Sequence, residues 1–319
     1  MSVPAAASRR DLANASSQYA QPVTQRGASP RAHRSCGPNG DAAQRLDRPN
    51  LGSLFSTPEG SLLTARPKLS VCIDAVFEGV PEPEAIARVA DAGIDAFEFW
   101  CWWEKDLDQI IAARDKHGMT VAACCTRFVS LADPALRSHY LQGLQESIAA
   151  ARQLGCSTLI SQVGDFRPGI PREQQQQSLI DGLSEAAPLL EQAGITLVIE
   201  PLNELVDHVG YYLVRSDEAF EVVDAVGSEN VKVVFDIYHQ QISEGHVIER
   251  LTRRVDAIKH FHAAGNPGRH ELTRGELNYP EILAAIAAAN YDGYVGLEYW
   301  PQGDPDAGLR QAAAMVATS

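Results

Sequence analysis

Long apolar runs are absent: nowhere among the 319 residues do about 18 successive apolar residues occur, so no transmembrane helix is expected. Cysteine is scarce and unpatterned. The six residues at positions 36, 72, 101, 124, 125 and 156 contain no CxxC and lie mostly inside apolar runs. They read as reduced thiols in a chain too long to need stapling, which fits a cytoplasmic protein. Basic charge is also short, with 27 Lys and Arg against 41 Asp and Glu. The shortage is uneven. Residues 1–68 hold nine basic and four acidic side chains, leaving 18 against 37 in 69–319, a balance of −19. Such a body is poorly suited to a phosphate backbone, and no nucleic-acid partner is expected. No GxGxxG follows the first apolar run, so a dinucleotide fold has no support.

Residues 1–68 are rich in Ala, Ser, Arg, Gln and Pro, without a sustained period of 2 or 3.6. Low hydrophobicity of this kind does not offset chain entropy, so a disordered extension is expected. Arg9-Arg10 lacks the apolar segment that an export signal needs. The Arg- and Ser-rich, acid-poor character also fits an organelle transit peptide, but a solvated tail or a wrongly assigned start is the favoured expectation.

From Leu69 the pattern is regular. Strands are predicted at 69–74, 95–100, 119–125, 157–162, 195–201, 231–239, 257–270 and 293–301. Helices are predicted between them at 81–93, 106–118, 134–155, 171–194, 216–226, 241–254 and 278–290, and a last one at 304–316. Gly93, Gly118, Gly155 and Gly194 stop four of them. Eight strand–helix units, with no second domain, predict an α/β fold: a single-domain (β/α)₈ TIM barrel over 69–319.

Four successive runs end in groups able to ligate a metal: Glu200, Asp236, His262 and Glu298, spaced 36, 26 and 36 residues apart. A strand–helix–strand unit takes about 30 residues, so one such group closes each of the last four strands. In a barrel these ends meet at one mouth. Two Glu, one Asp and one His there suit a divalent cation such as Mn²⁺, Mg²⁺ or Co²⁺. Glu200 and Glu298 can flank a substrate whose C–H is acidified beside a metal-held carbonyl, one removing a proton and the other returning it. That predicts proton transfer, not hydride transfer.

The blocks IEPLN (199–203), DIYHQQ (236–241), AGNPGRHELTRGELNY (264–279) and GLEYWPQ (296–302) resemble the hydroxypyruvate isomerase family of the xylose-isomerase-like TIM barrels. The resemblance spans roughly 69–310. It implies that Glu200 and Glu298 are metal ligands and the acid–base pair, and that Asp236 and His262 complete the metal shell. It further implies that His239 and Arg269 contact the substrate. Gly265 stands where the family has Asp, Leu272-Thr273-Arg274 where it has Pro-Gly-Thr, and His262 where some members have Gln. Arg274 is either an anchor for a carboxylate or phosphate or a solvated loop residue. Glu98 either lines the mouth as a substrate contact or pairs with a neighbouring Lys. Trp100, Trp102 and Trp103 either wall the substrate pocket or pack on helix tops.

The expected activity is a metal-assisted aldose–ketose isomerase acting on a small hydroxy-keto acid. Hydroxypyruvate and 2-hydroxy-3-oxopropanoate form the expected pair. A ketose 3-epimerase, or a lyase on 3-keto sugars, would use the same site. A homodimer or homotetramer is the expected assembly.

Overall fold

Short β-branched and aromatic runs form eight strands: β1 (Lys68–Cys72), β2 (Ala96–Phe99), β3 (Thr120–Cys125), β4 (Thr158–Ser161), β5 (Thr196–Ile199), β6 (Val231–Asp236), β7 (Ile258–Ala263) and β8 (Tyr294–Leu297). They pair in parallel in the order of the sequence, and β8 closes on β1 from Lys68↔Tyr294 to Val71↔Leu297. The structure, a computed structural model, describes residues 66–318; the expectations placed on the N-terminal extension lie outside these residues, save that β1 already begins at Lys68.

Ten helices are described: α1 (Ile73–Val76), α2 (Glu82–Asp91), α3 (Leu107–His117), α4 (Arg137–Leu154), α5 (Arg172–Ala193), α6 (Ser216–Val226), α7 (Ile237–Ser243), α8 (Val247–Arg253), α9 (Tyr279–Ala288) and α10 (Pro305–Thr318). Gly118, Gly155 and Gly194 end α3, α4 and α5 in the left-handed conformation, which costs glycine least. Pro188 lies within α5 without ending it. None of the described helices is long and apolar enough to cross a membrane.

Alternation along each strand divides the buried side chains into two sets. Phe97, Leu159, Leu197, Phe235, Phe261 and Val295 belong to the large core with the helices. The opposite positions of β3, β4, β5 and β6 supply a small second cluster of Ala123, Cys125, Ile160, Val198 and Val234. This set fills the barrel lumen, as side chains do in an eight-stranded barrel. On the β1, β2 and β7 side the lumen is polar instead, holding Ser70, Glu98 and His260.

Several predicted boundaries differ. The run at 231–239 leaves strand geometry at Asp236, because its Oδ1 accepts the His239 backbone N–H at 3.0 Å and caps α7. The helix expected over 241–254 is then two short helices, broken where Gly245 and His246 take φ of 65° and 56°. The run at 257–270 is a strand only to Ala263. Beyond it an antiparallel bridge between Gly265 and His270 shapes a loop over the barrel mouth.

Candidate metal and proton-transfer site

Glu200, Asp236, His262 and Glu298 each bring one ligand atom to within 4.8 Å of the others, and all four are buried. Strand alternation selects them. Val198 and Glu200, Val234 and Asp236, His260 and His262, Gly296 and Glu298 are pairs two residues apart, so the second of each pair stands above an inward-facing position. His262 Nδ1 lies 3.1 Å from Glu200 Oε1 and 3.2 Å from Glu298 Oε2. Since Asp236 Oδ1 caps α7, its Oδ2 is left facing the cluster and meets Arg269 Nη2 at 3.3 Å.

Three neighbours complete the site. Trp100 Nε1–H donates to Glu298 Oε1 at 2.7 Å. The Trp100 backbone N–H in turn donates to Asp74 at 2.8 Å, and Asp74 is held by the buried Lys105 ammonium at 2.6 Å. Arg269 donates to both Asp236 and Glu298, while its guanidinium lies between the Tyr238 and Trp300 rings, 5.3 Å from each centroid. His239 is fully buried. Its Nδ1 faces the backbone N–H of Asn203 at 3.2 Å and Asn203 Nδ2 at 2.6 Å, so Nδ1 is the acceptor nitrogen. The neutral ring therefore carries its proton on Nε2, which has no hydrogen-bond partner and lies 3.6 Å from Asp236 Oδ2.

The site is short of positive charge. Burial works to lower the His262 pKa, but Glu298 and Glu98 beside it push it well above the ordinary imidazole value. Burial pushes the Asp236 carboxyl up to about 6 against the pull of Arg269 and His262. Glu298 goes the other way: burial opposes its charge, yet His262 and Arg269 hold it down at about 2. Burial, with Arg269 nearby, keeps the His239 pKa well below its usual value. Without an added cation a proton on His262, joined below about pH 6 by one on Asp236, offsets part of that deficit. A divalent ion answers the same deficit, and three carboxylates with one imidazole fit its donor preference.

Other expected positions fall differently. Glu98 is not at the open mouth and does not pair with a lysine. Two residues below Trp100 on β2, it is 2% exposed and accepts from Ser70 Oγ at 2.9 Å. Its carboxylate lies 2.8 Å from His260 Nε2 and 3.1 Å from His262 Nε2. Trp102 and Trp103 sit under the Arg127 guanidinium, at 4.9 and 5.0 Å, and Trp103 packs edge-on to Phe128. They pack, whereas Trp100 reaches Glu298. The Arg274 side chain is 54% exposed and pairs with Glu271. Sequence reasoning passed over Asp74, Lys105, Asn203 and Tyr238; the sequence offered a signal for Asn203, inside IEPLN, and for Tyr238, inside DIYH.

The xylose isomerase-like TIM barrel family model matches residues 86–318. Hydroxypyruvate isomerase of Escherichia coli is 37% identical over 177 residues, 56% of this chain and 68% of its own length. The 2-oxo-tetronate isomerase of Cupriavidus necator is 32% identical over 235 residues, 71% of this chain and 90% of its own. The chain belongs to the hydroxypyruvate isomerase family of xylose isomerase-like TIM barrels. Enzymes of the hydroxypyruvate isomerase family are isomerases, and this chain is one of them. Among solved structures, a family 2 AP endonuclease from Brucella melitensis has a TM-score of 0.74 at 29% identity, covering 78% of this chain and 98% of its own. A 3-keto-D-glucoside 4-epimerase from Escherichia coli, at 20% identity and a TM-score of 0.69, covers 80% of this chain and all of its own; it shares the fold with this family member.

Proposed function

We propose that the chain is a metal-assisted aldose–ketose isomerase of small hydroxy-keto acids, of the hydroxypyruvate to 2-hydroxy-3-oxopropanoate type. The observation that carries this reading is the convergence of Glu200 and Glu298 with Asp236 and His262 on one buried point at the barrel mouth. The names of the relatives, which act on three- and four-carbon keto acids, support the substrate class.

Glu200, Asp236, His262 and Glu298 would hold Mn²⁺, Mg²⁺ or Co²⁺. The ion supplies Lewis-acid stabilisation of negative charge on the substrate oxygens. The remaining work belongs to the chain. Glu298 has both oxygens engaged, by Trp100 on Oε1 and by Arg269 and His262 on Oε2. Glu200 meets the cluster through Oε1, which leaves Oε2 to take the C-3 proton of hydroxypyruvate. Glu298, ionised at rest, takes the O-3 hydroxyl proton and delivers it to C-2 once its contacts rearrange around the substrate, while the proton held by Glu200 passes to O-2. Formula and charge are conserved. His239 Nε2–H donates to a substrate oxygen, and Arg269 faces the substrate carboxylate. Burial of the carboxylates keeps water from competing for the proton.

The test is NMR in D₂O with the Mg²⁺-loaded chain, separately on hydroxypyruvate, a 2-oxo-tetronate and a free ketose. Deuterium entering C-2 or C-3 of a keto-acid product, and lost in Glu298→Gln, is the expected result. Deuterium only at C-3 of a ketose would move the reading to an epimerase, and chain cleavage to a lyase. A cytoplasmic homodimer or homotetramer is part of the proposal; a monomer in sedimentation velocity would remove the assembly.

A further inference from the structure

We infer that Glu98, from within the barrel lumen, sets the tautomer and ring orientation of His262 and so tunes the metal site without touching metal or substrate. The inference rests on the reading of Glu200, Asp236, His262 and Glu298 as metal ligands.

The two nitrogens of His262 face opposite ways. Nδ1 is turned to Glu200 and Glu298, at 3.1 and 3.2 Å, and Nε2 is turned down to Glu98 Oε1, at 3.1 Å. A ligating imidazole must offer a lone pair, so a ring that ligates through Nδ1 carries its one proton on Nε2. Glu98 is the acceptor placed there. Its other oxygen is spoken for: Oε2 accepts from Ser70 Oγ at 2.9 Å and lies 2.8 Å from His260 Nε2. The carboxylate is thus tied from β1 and from both inward histidines of β7.

Two further observations indicate a site built for that carboxylate. Glu98, His260 and His262 are each at most 2% exposed, in a lumen whose opposite side is filled by Ala, Cys, Ile and Val; a bare carboxylate there would be costly. And β8 makes room for it. A Cβ added to Gly296 would lie 2.3 Å from Glu98 Oε1, so glycine at this strand position is what allows the carboxylate to reach His262. His262 and Gly296 are register partners in β7 and β8. Glu98 Oε1 and His262 Nε2 approach closely but off the ring N–H line, so neither atom has a straight hydrogen bond. Carboxylate support behind a ligating histidine fixes its orientation and raises its basicity, and losing it typically weakens metal binding about 10–100-fold.

The experiment measures Mn²⁺ binding to the full chain, metal-stripped and then titrated, by electron paramagnetic resonance of the free ion, alongside thermal unfolding by circular dichroism. Wild type should take up one ion per chain. Glu98→Gln should bind about 10–100-fold more weakly while unfolding cooperatively. Gly296→Ala leaves Glu98 in place but displaces its carboxylate, and should weaken binding in the same direction; it stands in should Glu98→Gln fail to fold. The inference is overturned if either folded variant binds Mn²⁺ as wild type does. It is equally overturned by two ions per wild-type chain with one lost in Glu98→Gln, because Glu98 would then be a ligand itself, or by no uptake at all. Tight, Glu98-dependent Mn²⁺ binding without isomerisation of any keto acid would sink the proposed function and leave this inference standing.

Discussion

Glu200 and Glu298 are the same residue type at equivalent strand ends, yet their surroundings separate them. Glu298 is held ionised by His262, Arg269 and the Trp100 N–H, whereas Glu200 meets the cluster through a single oxygen. Replacing either by Gln should reduce turnover by about 10²–10⁴-fold, the usual range for a lost acid or base, with deuterium exchange as the readout. Trp100→Phe keeps the ring and deletes only the N–H. A hydrogen bond to a charged group contributes about 1.5–3 kcal/mol, so kcat should fall about tenfold or more with KM little changed. A change in KM alone would show that Trp100 binds substrate rather than holding Glu298. The pairing of Trp100 with Glu298 was not legible from FWCWWEKD, because three tryptophans within four residues look alike until the loop places one of them over the lumen.

The loop between β7 and α9 turns on one glycine. A Cβ on Gly265 would lie 2.6 Å from the backbone oxygens of both Glu271 and Arg274. The loop closes on itself there, and this closure carries Arg269, at φ 56°, to the site. Gly265→Ala should therefore force the loop open at a cost of about 1–3 kcal/mol. The expected outcome is a lowered unfolding midpoint together with a raised KM for the keto acid. An unchanged KM would mean that the loop geometry does not position Arg269. Lys105 serves the loop after β2 in a comparable way, tying Asp74 and Glu82 with a side chain only 7% exposed.

At the scale of the whole molecule, metal and protons compete for one buried cluster. In the metal-free chain Asp236 titrates at about 6, and His262 is held protonated to well above its ordinary range by Glu298 and Glu98. An ion must displace both protons at low pH, so affinity rises with pH. The slope of log affinity against pH should approach about two protons per ion below pH 6 and about one above it, until His262 itself deprotonates. Calorimetric titration with Mn²⁺ in buffers of different ionisation enthalpy reads this directly, and a pH-independent affinity would contradict the ligand set. Saturating metal at about 100 times its Kd should add about 2.7 kcal/mol to stability. For a domain of this size that is about 5–10 °C in Tm, lost again on adding EDTA.

The barrel and its four candidate ligands were legible because both rest on local, periodic information. Strand-like runs, glycine stops and one ligating group per strand end survive any detail of packing, and parallel β/α units place strand C-termini together. Alternation also puts His260 on the same face as His262, one position deeper. What only the tertiary structure decided was partnership across the lumen. Nothing in DAFEFW says that Glu98 faces two histidines more than 160 residues away rather than a lysine or the substrate; that follows from closure of β8 on β1, which brings β2 and β7 to face each other across one interior. The same closure decides which tryptophan meets Glu298 and why Gly296 must lack a side chain. Sequence periodicity records which face a residue is on, but the contacts it makes there depend on strand register and barrel curvature, which are set jointly by all eight strands.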